Sequence, residues 1–536
     1  VEGDPYKFRL YLAIPMSSLD LRFSLTSNWL VKTDLYERLT ETLPGGTTVR
    51  TKYGTLSADN YMSYGPYRLE TYSNTSFRIV RNENWYGYTD GKHEGQYQMD
   101  ELYTRIIPKQ ETALQEFMAG RLDDVELTRD NMKDYGDSER RTTTLESYTQ
   151  KISFNSDRAS LLSRQTTGVN KTILANLDFR KGLSLGINRQ SVANVTSGSQ
   201  PFTGLLNSLY LTDVASGEKY RNTEQGKSVY TNLYGELGGT PDKPTALAES
   251  ANGYNSAMAA YYVANAIETE LDSDATGHLV NGDKIRLDLR VYDATSETTV
   301  DMNFELSSAF DKTLKDAVAL LKQRDPQKYS NLNLTIEINA VTDQDYYNTA
   351  KTGNFDMIFS IWGGANIAPY NLMQVYCDAD FTNTCEYGFK GKQNDPKFAN
   401  LWIDLNENGN VDSGETKTIH AWYTSLTDGT YYEPDGDRDQ QGNFIDESEQ
   451  ARFDTIHNQK LTILASLELD ILERWEAVPL LARGTSTLTS WKVENATDTY
   501  YDFVGFGGIR FMTFTYDDAE WANLVAEAGG NLSDEY

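Results

Sequence analysis

The residues best suited to chemistry lie in the acidic segment DLNENGNVDSGE, residues 404–415 of the 536-residue sequence. Oxygen-bearing side chains occupy positions 1, 3, 5, 7, 9 and 12, the ligand spacing of an EF-hand-type calcium loop, and glycine occupies position 6, where the backbone turns sharply. A cluster of solvated Asx turns uses the same residue types and is the alternative. The predicted Ca²⁺ ligands are Asp404, Asn406, Asn408, Asn410, Asp412 and Glu415.

A second acidic segment, DRDQQGNFIDESE (437–449), fits the same pattern only with one extra residue before Ile445. The two segments predict a paired calcium module, in which Val411 and Ile445 meet across a short two-stranded contact. We expect helices on either side, at FANLWI (398–403) and QARFDTIHNQKLTIL (450–464). No Met-rich groove accompanies them, so a structural role for calcium is favoured over sensing. The predicted ligands of this second loop are Asp437, Asp439, Gln441, Asp446 and Glu449.

Motifs for catalysis are missing or badly placed. GLSLG (182–186) matches the nucleophile elbow G-x-S-x-G, but Ser184 lies within a predicted helix rather than at a strand-to-helix turn. The sequence has no G-x-x-x-x-G-K-[ST] phosphate loop, and its 4 histidines do not have the spacing of metal ligands. We therefore predict that the protein is not an enzyme.

The amino-acid composition limits the classes of partner that the protein can bind. The 49 Lys+Arg against 78 Asp+Glu give a formal charge of −29, which disfavours nucleic acid and anionic lipid as partners. Hydrophobic residues make up 39% of the sequence, enough for the cores of several domains. Cys377 and Cys385 are eight residues apart and match no zinc pattern, so a local disulfide and two free thiols both stay open.

The elements that position these residues alternate between strands and helices, most clearly from about residue 256 to residue 362. Such alternation is typical of an α/β fold with a largely parallel sheet. The predicted elements are strands at 8–14, 77–85 and 284–292, a helix and short strand at 108–127, and helices at 178–195, 305–323 and 450–473.

Six phrases, in a fixed order along the chain, carry a resemblance to a known family. They are SYGPYRLETY (63–72), LQEFMAGRLDDVEL (114–127), KISFNSDR (151–158), NLDFRKGLSLGINRQSVA (176–193), GNFDMIFSIWGGANIAP (353–369) and AVPL (477–480). Together they resemble the peptide-class (oligopeptide, dipeptide or nickel type) extracellular solute-binding proteins, the receptors of bacterial ABC importers. Each phrase is short, but their order and spacing cover most of the chain.

The resemblance implies a two-lobed α/β fold of the periplasmic-binding-protein type (class II-like), with lobes joined by crossing strands. The first lobe would span 1–175, the second 176–479 with the EF-hand-like calcium insert at 404–449, and the chain would return to the first lobe at 480–536. The implied function is capture of an oligopeptide or related solute in an inter-lobe cleft and delivery to an ABC permease. We expect a monomer outside the cytoplasm, in the periplasm or on the cell surface, anchored by lipid in the full-length protein.

The resemblance also places the ligand contacts. Two would lie on one wall and six at the end of a strand; Trp362 would stack on a ligand group or pack in the interior, and the Gly-Gly pair would let a ligand main chain approach or only make a turn. The predicted contacts are Phe154 and Asn155 on the wall, and Ser360, Ile361, Trp362, Gly363, Gly364 and Asn366 at the strand end.

The sequence departs from the family in three places. The family's first strands are missing before KYGTLSADNYMSYGPY (52–67), so we expect an N-terminally truncated chain, and the calcium loops are an addition. The Asp with which peptide binders pair the α-amino group of the peptide falls at Ala365. Either Asn366 or another acid replaces it, or the ligand is a modified or internal peptide segment or a glycan.

A different class of protein also fits part of the sequence. A calcium-stabilised extracellular carbohydrate-binding module or glycan-active enzyme would account for the 35 Tyr, the 8 Trp and the calcium loops. A structural surface protein stiffened by calcium would account for the acidity. Neither explains the ordered phrases.

Overall fold

The structure is a computed structural model. It describes residues 9–16, 21, 25, 30–238, 253–362, 369–381, 387–396, 400–434, 436–439, 443–494 and 508–536. The chain divides into two compact units. The larger unit comprises Val1–Leu21 and Leu145–Gly484, and the smaller unit comprises Arg22–Thr144 and Thr485–Tyr536.

Four strands of the largest sheet exceed seven residues, and the other strands are shorter. They are β1 (Thr40–Thr42), β2 (Val49–Thr51), β3 (Tyr67–Tyr72), β4 (Ser76–Arg81), β5 (Glu101–Arg105), β6 (Asp124–Glu126), β7 (Arg141–Phe154), β8 (Val169–Asn170), β9 (Gln200–Pro201), β10 (Leu211–Asp213), β11 (Glu218–Lys219), β12 (Lys284–Val291), β13 (Thr335–Thr342), β14 (Met357–Trp362), β15 (Asn400–Trp402), β16 (Thr416–Thr418), β17 (Ala477–Thr489), β18 (Val493–Glu494) and β19 (Thr513–Phe514).

Two helices, of 28 and 27 residues, are much longer than the rest. The helices are α1 (Thr33–Leu39), α2 (Gln110–Met118), α3 (Met132–Tyr135), α4 (Arg158–Ser163), α5 (Leu177–Gly186), α6 (Arg189–Ala193), α7 (Glu224–Gly238), α8 (Ser256–Leu271), α9 (Glu297–Arg324), α10 (Pro326–Tyr329), α11 (Tyr346–Thr352), α12 (Pro369–Leu372), α13 (Gln374–Cys377), α14 (Ile419–Thr427), α15 (Glu447–Glu473) and α16 (Asp518–Glu527).

The larger unit is built on a mixed sheet. Its strand order is β13-β12-β14-β7-β17. β12 pairs in parallel with both β13 and β14, whereas β14 pairs antiparallel with β7. Parallel neighbours require crossover connections, and α9 supplies the one between β12 and β13.

Helix α9 forms because its apolar residues recur every three or four positions, so that they share one face. Ser296 caps the helix by accepting a hydrogen bond from the backbone N–H of Thr299. That face belongs to the main core of the unit, which also contains Leu287 and Leu289 of β12. The buried residues of the face are Met302, Leu306, Phe310, Thr313, Leu314, Ala317 and Leu321.

A second core in the larger unit surrounds α14 and α15. Trp422 of α14 is fully buried, and its indole N–H donates to the carbonyl of Leu401 at 2.9 Å. Leu464 and Leu467 of α15 belong to the same cluster. This core supports the segment that carries both acidic loops.

The smaller unit has a three-stranded antiparallel sheet, β3-β4-β5, and a short pairing of β6 with Thr487–Thr489 of β17. Its core is small and includes Phe117, Val125 and Leu488. Helix α2 ends at Met118, and Gly120 follows with a φ of +70°, the left-handed conformation that glycine adopts without strain.

The predicted α/β alternation is confirmed, and so are the strand at 284–292 and the helix at 450–473. The strand expected at 77–85 is shorter and spans Ser76–Arg81. Three local predictions were wrong. Residues 9–14 form no strand, and the single helix expected at 178–195 is broken between α5 and α6. The helix expected at 398–403 is instead strand β15 where the structure describes it.

The predicted lobe boundaries stay a prediction.

In the described residues no helix combines the length and apolarity that crossing a membrane requires.

Candidate functional site

The predicted ligand strand is β14, and its partner is β7. The two pair antiparallel from Met357 opposite Phe154 to Trp362 opposite Thr149. Because side chains alternate across a strand, residues directly opposite each other lie on the same face. The pairing therefore divides the predicted site into an apolar face and a polar face.

The apolar face is packed against the main core. Phe154, Ile152 and Met357 are fully buried in that core, and Phe359 packs against it. Phe154 was predicted to contact ligand. That contact stays a prediction, which the burial of the ring does not favour.

Asn155 is also fully buried, and its amide holds the start of β14. Its Nδ2 donates to the carbonyls of Gly353 and Phe355 at 3.0 and 2.9 Å, and its Oδ1 accepts the N–H of Asp157 at 2.9 Å. These bonds use most of the hydrogen-bonding capacity of the amide. The observed role of Asn155 is therefore structural, and its predicted contact with ligand stays a prediction.

A buried charge network supports the same end of β14. The carboxylate of Asp356 pairs with Lys171 and Arg164, and its Oδ2 accepts the backbone N–H of Asp288 at 2.9 Å. Lys171 also pairs with the carboxylate of Asp288 at 3.1 Å. Burial opposes ionisation of Asp288, but Lys171 outweighs it and lowers the pKa of that carboxyl group.

The polar face carries Thr149, Lys151 and Ser153 on β7, with Ser360 opposite Lys151 on β14. Lys151 and Ser153 are 3% and 5% exposed, and Ser360 is partly exposed. The Lys151 ammonium donates to Ser153 Oγ at 2.8 Å, and Ser153 Oγ lies 3.1 Å from Ser360 Oγ. The Tyr376 ring lies 5.4 Å from the ammonium.

This face places one predicted contact, Ser360, beside a residue that the sequence analysis missed. The signal for Lys151 was the i, i+2 spacing of Thr149, Lys151 and Ser153, which puts three polar side chains on one face of a strand. Of the other contacts, Ile361 is 47% exposed and Trp362 ends β14. Gly363, Gly364 and Asn366 lie outside the described residues.

The acidic loop at 404–415 connects β15 to β16, which pair antiparallel, rather than lying between two helices. Asp404 accepts the N–H groups of Asn408 and Gly409 at 3.2 and 2.7 Å, and Gly409 has a φ of +73°. Glu415 is 5% exposed and accepts the N–H groups of Leu405 and Asp412 at 2.9 and 3.2 Å. The loop is thus tightly turned around its first and last acidic residues.

The middle of this loop is organised by amide side chains. Asn406 and Asn408 donate from Nδ2 to Asp412 Oδ2 at 2.7 and 2.6 Å, and these bonds lower the pKa of Asp412. Asn410 donates its backbone N–H to Asn408 Oδ1 at 2.7 Å. Calcium binding would require the two donating amides to turn their oxygens toward the ion.

The second acidic loop is closed by an isolated bridge between Arg438 and Phe444. Asp439 accepts the N–H of Asn443 at 2.9 Å. Asp446 caps helix α15 by accepting the N–H of Ser448 at 2.8 Å. Glu449 lies in the first turn of that helix, and Gln441 falls outside the described residues.

The predicted contact between the two loops is not formed. Val411 and Ile445 are 68% and 69% exposed, and neither belongs to a strand. Each loop is instead closed by its own neighbours in sequence.

One further group of possible metal ligands occurs in the described residues: Asp378, Asp380 and His420. His420 Nδ1 lies 3.6 Å from Asp378 Oδ1 and already accepts the backbone N–H of Ala379 at 3.0 Å. Metal at that nitrogen would displace a backbone hydrogen bond, so the geometry favours a structural role.

Comparison with known proteins was made against families, curated proteins and solved structures. The family model "Bacterial extracellular solute-binding proteins, family 5 Middle" matches residues 1–383. A dipeptide-binding protein of Lactococcus lactis subsp. cremoris (strain MG1363) is 23% identical over 390 residues, covering 72% of this chain and 58% of that protein. The chain therefore spans less than two thirds of this relative.

Two solved structures share the fold. Listeria monocytogenes OppA bound to peptide superposes with a TM-score of 0.51 at 16% identity, covering 86% of this chain and 66% of that chain. The substrate-binding domain of an oligopeptide ABC transporter from Bacillus anthracis str. Ames has a TM-score of 0.50 at 14% identity, covering 87% and 67%. At these identities the likeness establishes the mixed α/β fold.

Proposed function

Because the chain belongs to family 5 of the bacterial extracellular solute-binding proteins, we propose that it is the substrate-binding component of an ABC importer. In this role it captures a peptide and delivers it to a membrane permease. The observation that carries the proposal is the family match over residues 1–383. The mixed sheet of the larger unit, with the fold of two oligopeptide binders, supports it.

The ligand class follows from the relatives. The curated relative is named for dipeptides, and one of the similar structures is described as bound to peptide. The end of β14 offers hydroxyl and backbone groups, which suit a polar main chain. We therefore propose a peptide rather than a glycan as the cargo.

Isothermal titration calorimetry tests this proposal. The purified chain is titrated with a mixed di- to pentapeptide library and, separately, with a panel of oligosaccharides. We expect saturable binding of peptides and none of oligosaccharides, with the peptides recovered intact by mass spectrometry. Binding of oligosaccharides alone, or hydrolysis of the peptides, would refute the proposed function.

We further propose that the protein works outside the cytoplasm and that a lipid attaches the full-length protein to the membrane. The family description as extracellular supports the first part. Labelling of the native protein in cells with a radioactive fatty acid, followed by protease treatment of spheroplasts with an intact cytoplasmic membrane, tests both parts. An unlabelled protein would contradict the anchor, and a protected one would contradict the location.

We also propose that calcium stabilises the two acidic loops. Asp404, Asp412 and Glu415 provide carboxylates at positions 1, 9 and 12 of the first loop, and a hard cation with six to eight oxygen ligands suits such a set. The tight turn at Gly409 supports this assignment. The second loop would hold its ion mainly through the carboxylates of Asp437, Asp439 and Glu449. The other two predicted ligands, Gln441 and Asp446, would contribute less.

Calorimetric titration with Ca²⁺ and thermal unfolding in EDTA test the proposal. We expect two ions per chain and a lower unfolding temperature in EDTA. Glu415→Gln should remove one ion, whereas Glu407→Gln, which removes the same charge from a non-ligand position of the same loop, should remove none. An unfolding temperature that EDTA does not change would contradict a structural role for calcium.

A further inference from the structure

The polar face of the β7–β14 pair contains an ordered chain of three hydrogen-bonding side chains. Lys151 and Ser153 are two residues apart on β7, and Ser360 lies directly opposite Lys151 on β14. Contacts of 2.8 Å from Lys151 Nζ to Ser153 Oγ and 3.1 Å from Ser153 Oγ to Ser360 Oγ join them. The chain runs from a buried ammonium to a partly exposed hydroxyl.

The hydrogen bonds between these three side chains run in one direction. An ammonium group can only donate, so Ser153 Oγ accepts from Lys151 and keeps its own proton for donation. When that proton points to Ser360 Oγ, the hydroxyl proton of Ser360 points onward. The exposed end of the chain then presents a hydrogen-bond donor backed by a positive charge, and its natural counterpart is an anionic acceptor.

We propose that Lys151, Ser153 and Ser360 form a subsite that accepts a carboxylate of the bound peptide. The proposal rests on the proposed function, because it assigns a preference to the same ligand strand. Ser360 contacts the carboxylate, Ser153 orients Ser360, and Lys151 supplies the charge.

Burial makes this charge effective at a distance. Lys151 is 3% exposed, so solvent and salt screen its field much less than the field of a surface lysine. The whole protein carries a formal charge of −29, which repels anions in general. A local buried cation therefore discriminates between ligands through its position rather than through the overall charge.

The carboxylate could be the C-terminus of the peptide or an acidic side chain, and matched ligands separate the two. The probes are Ala-Phe-Leu-Ala as free acid and as C-terminal amide, and Ala-Glu-Leu-Ala amide against Ala-Gln-Leu-Ala amide. Affinity is measured by calorimetry for the wild-type chain, Lys151→Met, Lys151→Arg and Ser360→Ala. Lys322→Met, which removes a lysine from an exposed position of α9, is the control.

We expect the wild-type chain to bind one member of at least one pair, the one with the extra carboxylate, about 10-fold more tightly than its neutral partner. A preference within the acid–amide pair assigns the C-terminus, and one within the Glu–Gln pair assigns a side chain. Lys151→Met should reduce the ratio below about 2, and Ser360→Ala should reduce it in part. Lys151→Arg, which keeps the positive charge, and Lys322→Met should preserve the ratio.

Equal affinity within both pairs for the wild-type chain would overturn the subsite, as would an unchanged ratio in Lys151→Met and Ser360→Ala. Circular dichroism checks that each variant is folded, and Ser360→Ala tests the proposal even where Lys151→Met does not fold. Failure to bind any peptide would refute the proposed function itself, and the subsite with it. Binding without discrimination would refute only the subsite.

Discussion

Raising the pH above neutrality should destabilise the larger unit through one histidine, His457 of α15. The imidazole lies between two carboxylates: Nδ1 is 2.6 Å from Glu433 Oε1, and Nε2 is 2.7 Å from Glu218 Oε2. Phe453 stacks on the ring at a centroid distance of 4.8 Å. Lys460, one turn further along the helix, pairs with the other oxygen of Glu433 at 2.7 Å.

The magnitude follows from the pKa of this histidine. Burial alone would lower the pKa, but the hydrogen bonds to Glu218 and Glu433 outweigh it and raise the pKa of His457 from 6.5 to about 9. A difference of this size corresponds to about 3 kcal/mol of stabilisation by the protonated ring. Because the folded-state pKa is the higher one, the stabilisation is complete below pH 6.5 and is lost as the pH rises through 9.

Urea unfolding of the wild-type chain and His457→Gln, at several pH values from about 6 to 10, measures this effect. The difference in the free energy of unfolding between the two proteins should be largest near pH 6 and should shrink by about 3 kcal/mol by pH 10. Lysines and tyrosines that titrate in this range are common to both proteins and cancel in the difference. A difference that does not vary with pH would refute the reasoning.

Three further substitutions test the structural roles assigned above, each by urea unfolding. Glu468→Gln leaves the buried guanidinium of Arg221 without its ion-pair partner and should cost about 3 kcal/mol; a loss below about 1 would contradict that role. Asn155→Ala removes the amide that anchors the start of β14 and should lower the free energy of unfolding by about 2 kcal/mol. A free energy of unfolding that hardly changes would mean that water replaces the amide. Gly120→Ala meets a φ of +70° and a Val525 methyl 2.5 Å from the new Cβ, so it should cost about 2 kcal/mol; an unchanged stability would mean that α2 ends differently.

Local patterns in the sequence were reliable where one period dominates over many residues. The helical spacing in α9 and α15, the run at β12, and the helix-then-strand order of α2 and β6 all follow from such periods. Short segments without a long period were the ones that failed. Residues 9–14 have the alternation of a strand but no partner strand in the described residues, and Asn400–Trp402 pairs as a strand because β16 lies beside it.

In the acidic loops, too, the local turns could be predicted from the sequence and the contacts between distant segments could not. The positions of Asp404, Gly409 and Glu415 could be assigned from spacing alone, because a tight loop is a local feature. Whether Val411 would meet Ile445 could not, because that contact depends on how two separate segments pack. The structure leaves both side chains exposed.

By itself, the sequence determined the α/β class, the main helices and strands, the family resemblance and the tightly turned acidic loop, since each depends on residue order over a short range. Only the tertiary structure decided that Asn155 is an internal anchor, that Lys151 stands opposite Ser360, and that His457 joins Glu218 to Glu433. Ser153 and Ser360 are 207 residues apart, and His457 and Glu218 are 239 apart. Contacts over such separations depend on the register of paired strands and the packing of helices on them, which no local period specifies.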